Sequence, residues 1–213
     1  LIPQITYYFW GLLEFQRQAE RSLDHDLAVD VCVPSGNFGN LTAAAYAKRM
    51  GASIARLVSA SNANEIVPEF FRTGSFRPRP SLQTFSNAMD VGNPSNFARL
   101  QALYGYNIDA MKSDIASTSV SDDETLVEMR RTYEESGTIL DPHTAVGVAA
   151  TRKLKTTHSS SRSTIVVGTA HPAKFPDVVK RAIGVTIPLP KQLQEALQRA
   201  KQSTRIPADY ARM

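Results

Sequence analysis

A single cysteine, Cys32, among 213 residues rules out an intrachain disulfide, and its place in the mostly apolar run 29–33 predicts a buried small hydrophobe. Long hydrophobic runs are absent too. Nothing approaches the roughly 18 uncharged apolar residues that a bilayer-spanning helix needs. No secretory leader is legible, because Arg17 and Arg21 follow the first apolar stretch instead of preceding it and no small-residue cleavage site appears. A soluble, cytoplasmic protein without a membrane partner is the expectation. His143 and His171 show no metal-ligand spacing with each other or with an acid pair, so no metal is assigned. The net charge is only +4, and the basic residues are scattered, with no stripe of interleaved aromatics. A nucleic-acid partner is therefore not expected.

What is present is enough apolar content, 42%, to fill a core. Leu1, Ile5, Tyr8, Leu12, Phe15 and Ala19 recur at alternating spacings of four and three, an amphipathic helix already under way at the first residue. Neither a starting Met nor an N-cap precedes it, and the expectation is a break inside a longer protein. Next come a buried strand over Leu27 to Val33, a glycine-bearing turn, and a helix over Leu41 to Met50 closed by Gly51. A strand over Ser53 to Ser59 and a helix over Asn64 to Thr73 continue the alternation. That order predicts an α/β fold with a mostly parallel sheet covered by helices.

Residues 75–94 are proline-rich and polar before helical signals resume over Ser95 to Tyr104 and Ile108 to Lys112. So long a connection is either functional or disordered. Asp122 to Glu135 reads as a helix ended by Gly137, and Asp141-Pro142 as the N-cap and first residue of another that runs to about Lys155. A serine-rich turn over His158 to Ser163, a buried strand over Thr164 to Gly168, and helices over Pro172 to Ile183 and Lys191 to Lys201 close the chain.

The segment Ser35-Gly36-Asn37-Phe38-Gly39-Asn40 carries the strongest chemical signal. Two glycines between a buried strand and a helix let backbone N–H groups converge at the positive end of the helix dipole, which makes an anion cradle. The Lys-Ser/Thr pair of a Walker A loop and the G-x-G-x-x-G of a dinucleotide fold are both missing. An ordinary β-to-α turn that needs glycine for tightness has the same pattern, and the loop alone does not separate the two.

Five segments in order do. Val33-Pro-Ser-Gly-Asn-Phe-Gly-Asn40 resembles the cofactor-phosphate loop of threonine synthases. Ser61-Asn-Ala-Asn-Glu65 with Phe70-Phe71, Thr84-Phe-Ser-Asn-Ala-Met-Asp-Val91 with Asn96-Phe97 and Arg99, Asp141-Pro-His-Thr-Ala-Val146, and Gly168-Thr-Ala-His-Pro-Ala-Lys174 agree with the same family. Together they cover nearly all of residues 27–175.

The resemblance implies the C-terminal part of a fold-type II enzyme of pyridoxal 5′-phosphate (PLP), which converts O-phosphohomoserine and water to threonine and phosphate. It implies an open, mostly parallel, twisted sheet with helices on both faces, and an irregular and helical insert over residues 75–113 near the active site. By the same resemblance Ser35, Gly36, Asn37, Phe38, Gly39 and Asn40 hold the cofactor phosphate, and Thr169 meets the pyridine nitrogen. A hydroxyl there leaves the ring nitrogen largely unprotonated and moderates its strength as an electron sink. From the residues alone, Thr169 at a strand-to-helix turn reads first as a helix cap.

Asn96, Arg99 and Lys174 are the candidates for contact with substrate. The planar fork of Arg99 matches phosphate oxygens and Lys174 offers a point charge, although a solvated helix arginine and a surface lysine fit the same patterns. Asn87, Asp90, Asn96 and Arg99 belong to a stretch that such an enzyme could close over substrate. The family's Schiff-base lysine lies in a motif upstream of the phosphate loop, and none of the lysines here has that context. No catalytic residue is assigned, and the chain alone is expected to be inactive without an N-terminal half as partner. The alternative is a catalytically silent phosphate-binding or interaction module of the same fold. Asn40 stands where many relatives have aspartate, which removes a negative charge beside an anion site.

Overall fold

Val29, Val31 and Val33 alternate with Asp30 and Cys32, so both faces of this strand must be covered. In the computed structural model, which describes residues 1–19, 28–157 and 162–205, Val29–Pro34 is strand β1 and is buried at every position. It pairs in parallel with β2 (Ile54–Ser61) on one side and β4 (Thr164–Val166) on the other. Strand β3 (Ile115–Ser119) adds in parallel to the far edge of β2, for the order β3-β2-β1-β4. Leu27, the expected start of β1, and His158 to Ser161 of the serine-rich turn lie outside the described residues.

Helices α1 (Ile2–Ala19), α2 (Gly39–Arg49), α3 (Ile66–Thr73), α4 (Phe97–Leu103) and α5 (Ile108–Asp114) share one apolar cluster with Val29, Val31, Val33, Leu57 and Ile115. Leu1, Ile5, Tyr8, Leu12 and Phe15 of the expected stripe pack into it. Cys32, Val58, Ala60 and Ala116 point the other way, onto Val146 and Ala150 of α7 (Pro142–Thr157). Burial of each such valine or leucine contributes about 1.5–3 kcal/mol. The sheet is thus covered on both faces, as an all-parallel sheet requires. Outside α7, α6 (Asp122–Ser136) and α8 (Pro176–Ile183) meet through Met129, Ala145, Val179 and Ala182. The last described helix is α9 (Lys191–Gln198). Among the described residues no helix is long and apolar enough to cross a membrane.

Several boundaries differ from the sequence reading. Strand β3 was not expected, because Ser117, Thr118 and Ser119 dilute its apolar signal. The last strand ends at Val166, short of Gly168, and is half-buried, because it is an edge strand paired only with β1. The helix expected over Pro172 to Ile183 is broken into a 3₁₀ turn, Pro172–Lys174, and α8. Pro176 is the reason: its ring excludes the α region for Phe175, which adopts φ −128° and ψ 51°.

The proline-rich stretch is ordered by a polar knot. Asn62 Nδ2 donates to Thr84 Oγ1 at 2.8 Å and to Asp90 Oδ1 at 2.8 Å. Asn64 exchanges bonds with the backbone of Leu82 and also donates to Asp90 Oδ1. Asp90 Oδ2 accepts the Thr84 amide at 3.0 Å. The free choice between function and disorder is settled locally in favour of order, with the loop tied to the exit of β2.

Candidate active site

Strand β1 feeds β2 on one side and has β4 on the other, so the chain diverges at the carboxyl ends of β1 and β4. Ligands of open parallel sheets collect in such crevices. A cleft of about 400 Å³ lies there, walled by the whole of residues 35–40, by Ala88, Met89, Asn96, His143 and Thr169, and by Leu1 and Gln4 of the N-terminal segment.

The loop that leaves β1 is held from three sides. The Ser35 amide extends the sheet by donating to Ala60 O at 2.8 Å, and its hydroxyl donates to Val33 O at 3.0 Å. Phe38 is left-handed, with φ 61° and ψ 11°, and is followed directly by helix α2. A left-handed residue joined to helical ones turns successive N–H groups toward one point, a nest for an anion. That conformation is strained for a non-glycine residue, and it persists because the Phe38 ring is core, 5.7 Å edge-on from Phe97. No side chain caps α2, so its first amides face the cleft with the positive end of the dipole behind them.

Gly36 has no room for a side chain, since a Cβ there would lie 2.5 Å from Met89 Cα. Asn37 Oδ1 accepts from the Ser95 amide at 2.6 Å and so ties the loop to the start of α4. The Asn40 side chain accepts from the Tyr8 hydroxyl at 2.7 Å. Burial pushes the Tyr8 phenol up, with Cys32 adding to the shift, so it remains a donor. Cys32 itself is pushed up to about 12 by burial and its thiol rests on Gly147 O, away from the cleft.

Thr169 follows β4, is exposed and lines the cleft as well. The 3₁₀ turn after it is capped by His171, whose Nδ1 accepts from the Ala173 amide at 3.1 Å. Thr169 is therefore spared that duty. Of the substrate candidates, Asn96 lines the cleft, but Arg99 and Lys174 do not. Arg99 is exposed and donates to Asn96 Oδ1 at 2.8 Å, and Lys174 is exposed on the 3₁₀ turn. Among the described residues no lysine or arginine lines the cleft, so the positive potential there is that of backbone amides at the start of α2.

Sequence reasoning missed His143. It is buried on the cleft wall, with Nδ1 2.9 Å from Asp141 Oδ1 and Nε2 accepting from the Ala88 amide at 3.2 Å. Asp141 caps α7 through the His143 and Thr144 amides, as expected, and also takes the Thr144 hydroxyl. Burial alone would push the Asp141 carboxyl up. Hydrogen bonds from the His143 ring, the Thr144 hydroxyl and the His143 amide outweigh it and hold the group below the usual aspartate value. The signal was present in Asp-Pro-His: an N-cap aspartate faces the residues two and three positions on.

Comparison with known proteins places this geometry in context. The family model described as pyridoxal-phosphate dependent enzyme matches residues 4–169, and the one described as threonine synthase, C-terminal, matches residues 144–213. The chain is 37% identical to the threonine synthase of Escherichia coli (strain K12) over 211 residues, which is 99% of this chain and 47% of the relative. The crystal structure of threonine synthase from Escherichia coli superposes with a TM-score of 0.81 at 36% identity, over 98% of this chain and 46% of that one. The PLP-bound threonine synthase from Brucella melitensis also gives 0.81, at 34% identity over 95% of this chain and 47% of that one. The chain spans about half the length of the relatives it matches.

Proposed function

This chain belongs to the pyridoxal-phosphate dependent enzymes, and from that membership we propose that it forms the cofactor-cradling half of a threonine synthase acting on O-phosphohomoserine. The observation that carries the proposal is the uncapped N-terminus of α2, opening through the left-handed turn at Phe38 onto a cleft that Thr169 also lines. The residues fit the cofactor in size and in chemistry. A cleft of about 400 Å³ lies within the range of small-ligand sites. The amides of residues 36–40 match a phosphate, and a neutral hydroxyl matches a pyridine nitrogen.

PLP, when bound, supplies the electron sink for charge that develops on the substrate carbon skeleton. The chain's own residues do the rest that this half can do. The loop amides would hold the phosphate end, and Thr169 would meet the ring nitrogen without giving it a full proton. Ala88 and Met89 give one part of the wall an apolar lining, and Asn96 adds a polar side chain to it. Residues 75–113 act as the insert that shapes this entrance. The cofactor-carrying lysine would come from a further segment, the N-terminal half of the enzyme, a reading supported by the chain's span of 47% of its Escherichia coli relative, and the chain would be inactive without it. A cytoplasmic location goes with a phosphorylated amino acid as substrate.

The test uses the full-length protein. It should take up PLP with absorbance near the visible edge and release phosphate from O-phosphohomoserine, whereas the 213 residues alone should release none. Thr169→Ala should lower turnover about tenfold, the worth of one good hydrogen bond. Its unfolding free energy should stay within about 0.5 kcal/mol, as for other exposed sites. Unchanged turnover would remove Thr169 from the site. Failure of the full-length protein to take up cofactor would refute the reading and leave a silent phosphate-binding module.

A further inference from the structure

The turn Asn87–Met89 is the part of the cleft wall that presses on the phosphate loop, since Met89 leaves no space above Gly36. Its flanks are held by other groups. Asp122 Oδ1 accepts the Phe85 amide at 3.1 Å on one side, and Asn62, Asn64 and Thr84 hold Asp90 on the other. Within the turn the amides of Met89 and Asp90 are used internally, on Ser86 O and Asn87 O. The Ala88 amide at the apex goes to His143 Nε2.

An amide can only donate, so Nε2 must be the bare nitrogen of a neutral imidazole. The proton then sits on Nδ1 and is donated to Asp141 Oδ1 at 2.9 Å. The Phe175 ring, 4.9 Å away between centroids, closes the remaining side with an apolar surface. Asp141 thus selects a tautomer, and the tautomer selects the height of the turn over Gly36.

We propose that His143 is a positioning residue for the phosphate end of the cofactor: it fixes the Asn87–Met89 turn through the Ala88 amide and thereby holds the glycine loop in its anion-binding shape. The proposal rests on the reading of the cleft as the PLP site. His143 itself transfers no proton, because its only lone pair is engaged by the backbone.

Two substitutions separate its two bonds. In His143→Asn the side-chain amide can reproduce the Nδ1 donor to Asp141 but reaches no farther. In His143→Gln the carbonyl can reach the place of Nε2 and accept from Ala88. In the full-length protein, His143→Asn should weaken PLP binding, measured by absorbance titration, by about tenfold, the equivalent of one buried hydrogen bond. His143→Gln should keep affinity within about threefold of the parent. Equal losses in both variants, or none in either, would overturn the proposal. Nitrogen-15 shifts of the His143 ring in the protein without cofactor give a readout that needs no PLP. They should report a protonated Nδ1 and a bare Nε2 at neutral pH, and the opposite tautomer or an imidazolium would overturn it. A full-length protein that shows the expected tautomer but takes up no PLP would instead sink the functional reading.

Discussion

Replacing Gly36 by alanine tests the close approach on which the cleft depends. The added Cβ would lie 2.5 Å from Met89 Cα and 3.0 Å from its carbonyl carbon and oxygen, all backbone atoms. Ordinary contact begins near 3.4 Å, so the turn and the loop must separate by about 0.9 Å. Neither side gives easily. The Ser35 amide is committed to the sheet, and the turn is bound at Phe85, Ala88 and Asp90. Overpacking of this kind costs about 1–3 kcal/mol. The cost falls on stability if the loop stays docked, and on phosphate affinity if the loop swings out to relieve it. Urea unfolding without cofactor, together with PLP titration of the full-length protein, should find the losses summing to that range, with affinity down ten- to a hundredfold if the loop moves. Gly11→Ala in α1, where nothing lies within 4 Å, is the control and should stabilise by up to about 1 kcal/mol. A Gly36→Ala protein with parental stability and parental affinity would refute the reasoning.

Asp90→Ala should destabilise by about 1–3 kcal/mol, because it leaves the part-buried Thr84 amide without its acceptor, while Asn62 and the Thr84 hydroxyl fall back on each other and on Ser86; proteolysis within residues 75–94 should rise in parallel, and a cost below about 0.5 kcal/mol would show that the knot is dispensable. Asp141 titrates below its unfolded value, so its contribution to stability is present in full above about pH 4 and is lost as pH falls through the lower folded value. Asp141→Asn should flatten that part of the acid limb in a series of denaturant melts from pH 5 to pH 2, and an unchanged limb would contradict the assignment.

The glycine loop was legible as a tight turn into a helix because its chemistry is that of the backbone. Glycines at 36 and 39 after a β-branched run announce a tight turn into a helix, and neither residue needs a distant partner to be recognised. The left-handed conformation falls on Phe38 and not on either glycine of the loop, and no local rule selects it. Only the burial of its ring against Phe97, 59 positions away, makes it the favoured residue. The Asn62–Asn64–Asp90 knot was hidden for the same reason, since Asp90 lies 26 positions from Asn64 and nothing local pairs them. Arg99 was chosen for the fork of its guanidinium, and its position argued otherwise. At about 100° per residue it lies about 200° from Phe97, and Phe97 and Leu100 are the buried face of α4. The helix turns Arg99 outward and leaves Asn96, just before its first turn, at the cleft. His143 was passed over for want of a metal partner, although an aspartate two residues before it at a helix start already implied a paired ring nitrogen. Residue type therefore nominated the charged groups, whereas helical phase and capping geometry selected the neutral ones, and a cleft lined by backbone amides is better read by the second route.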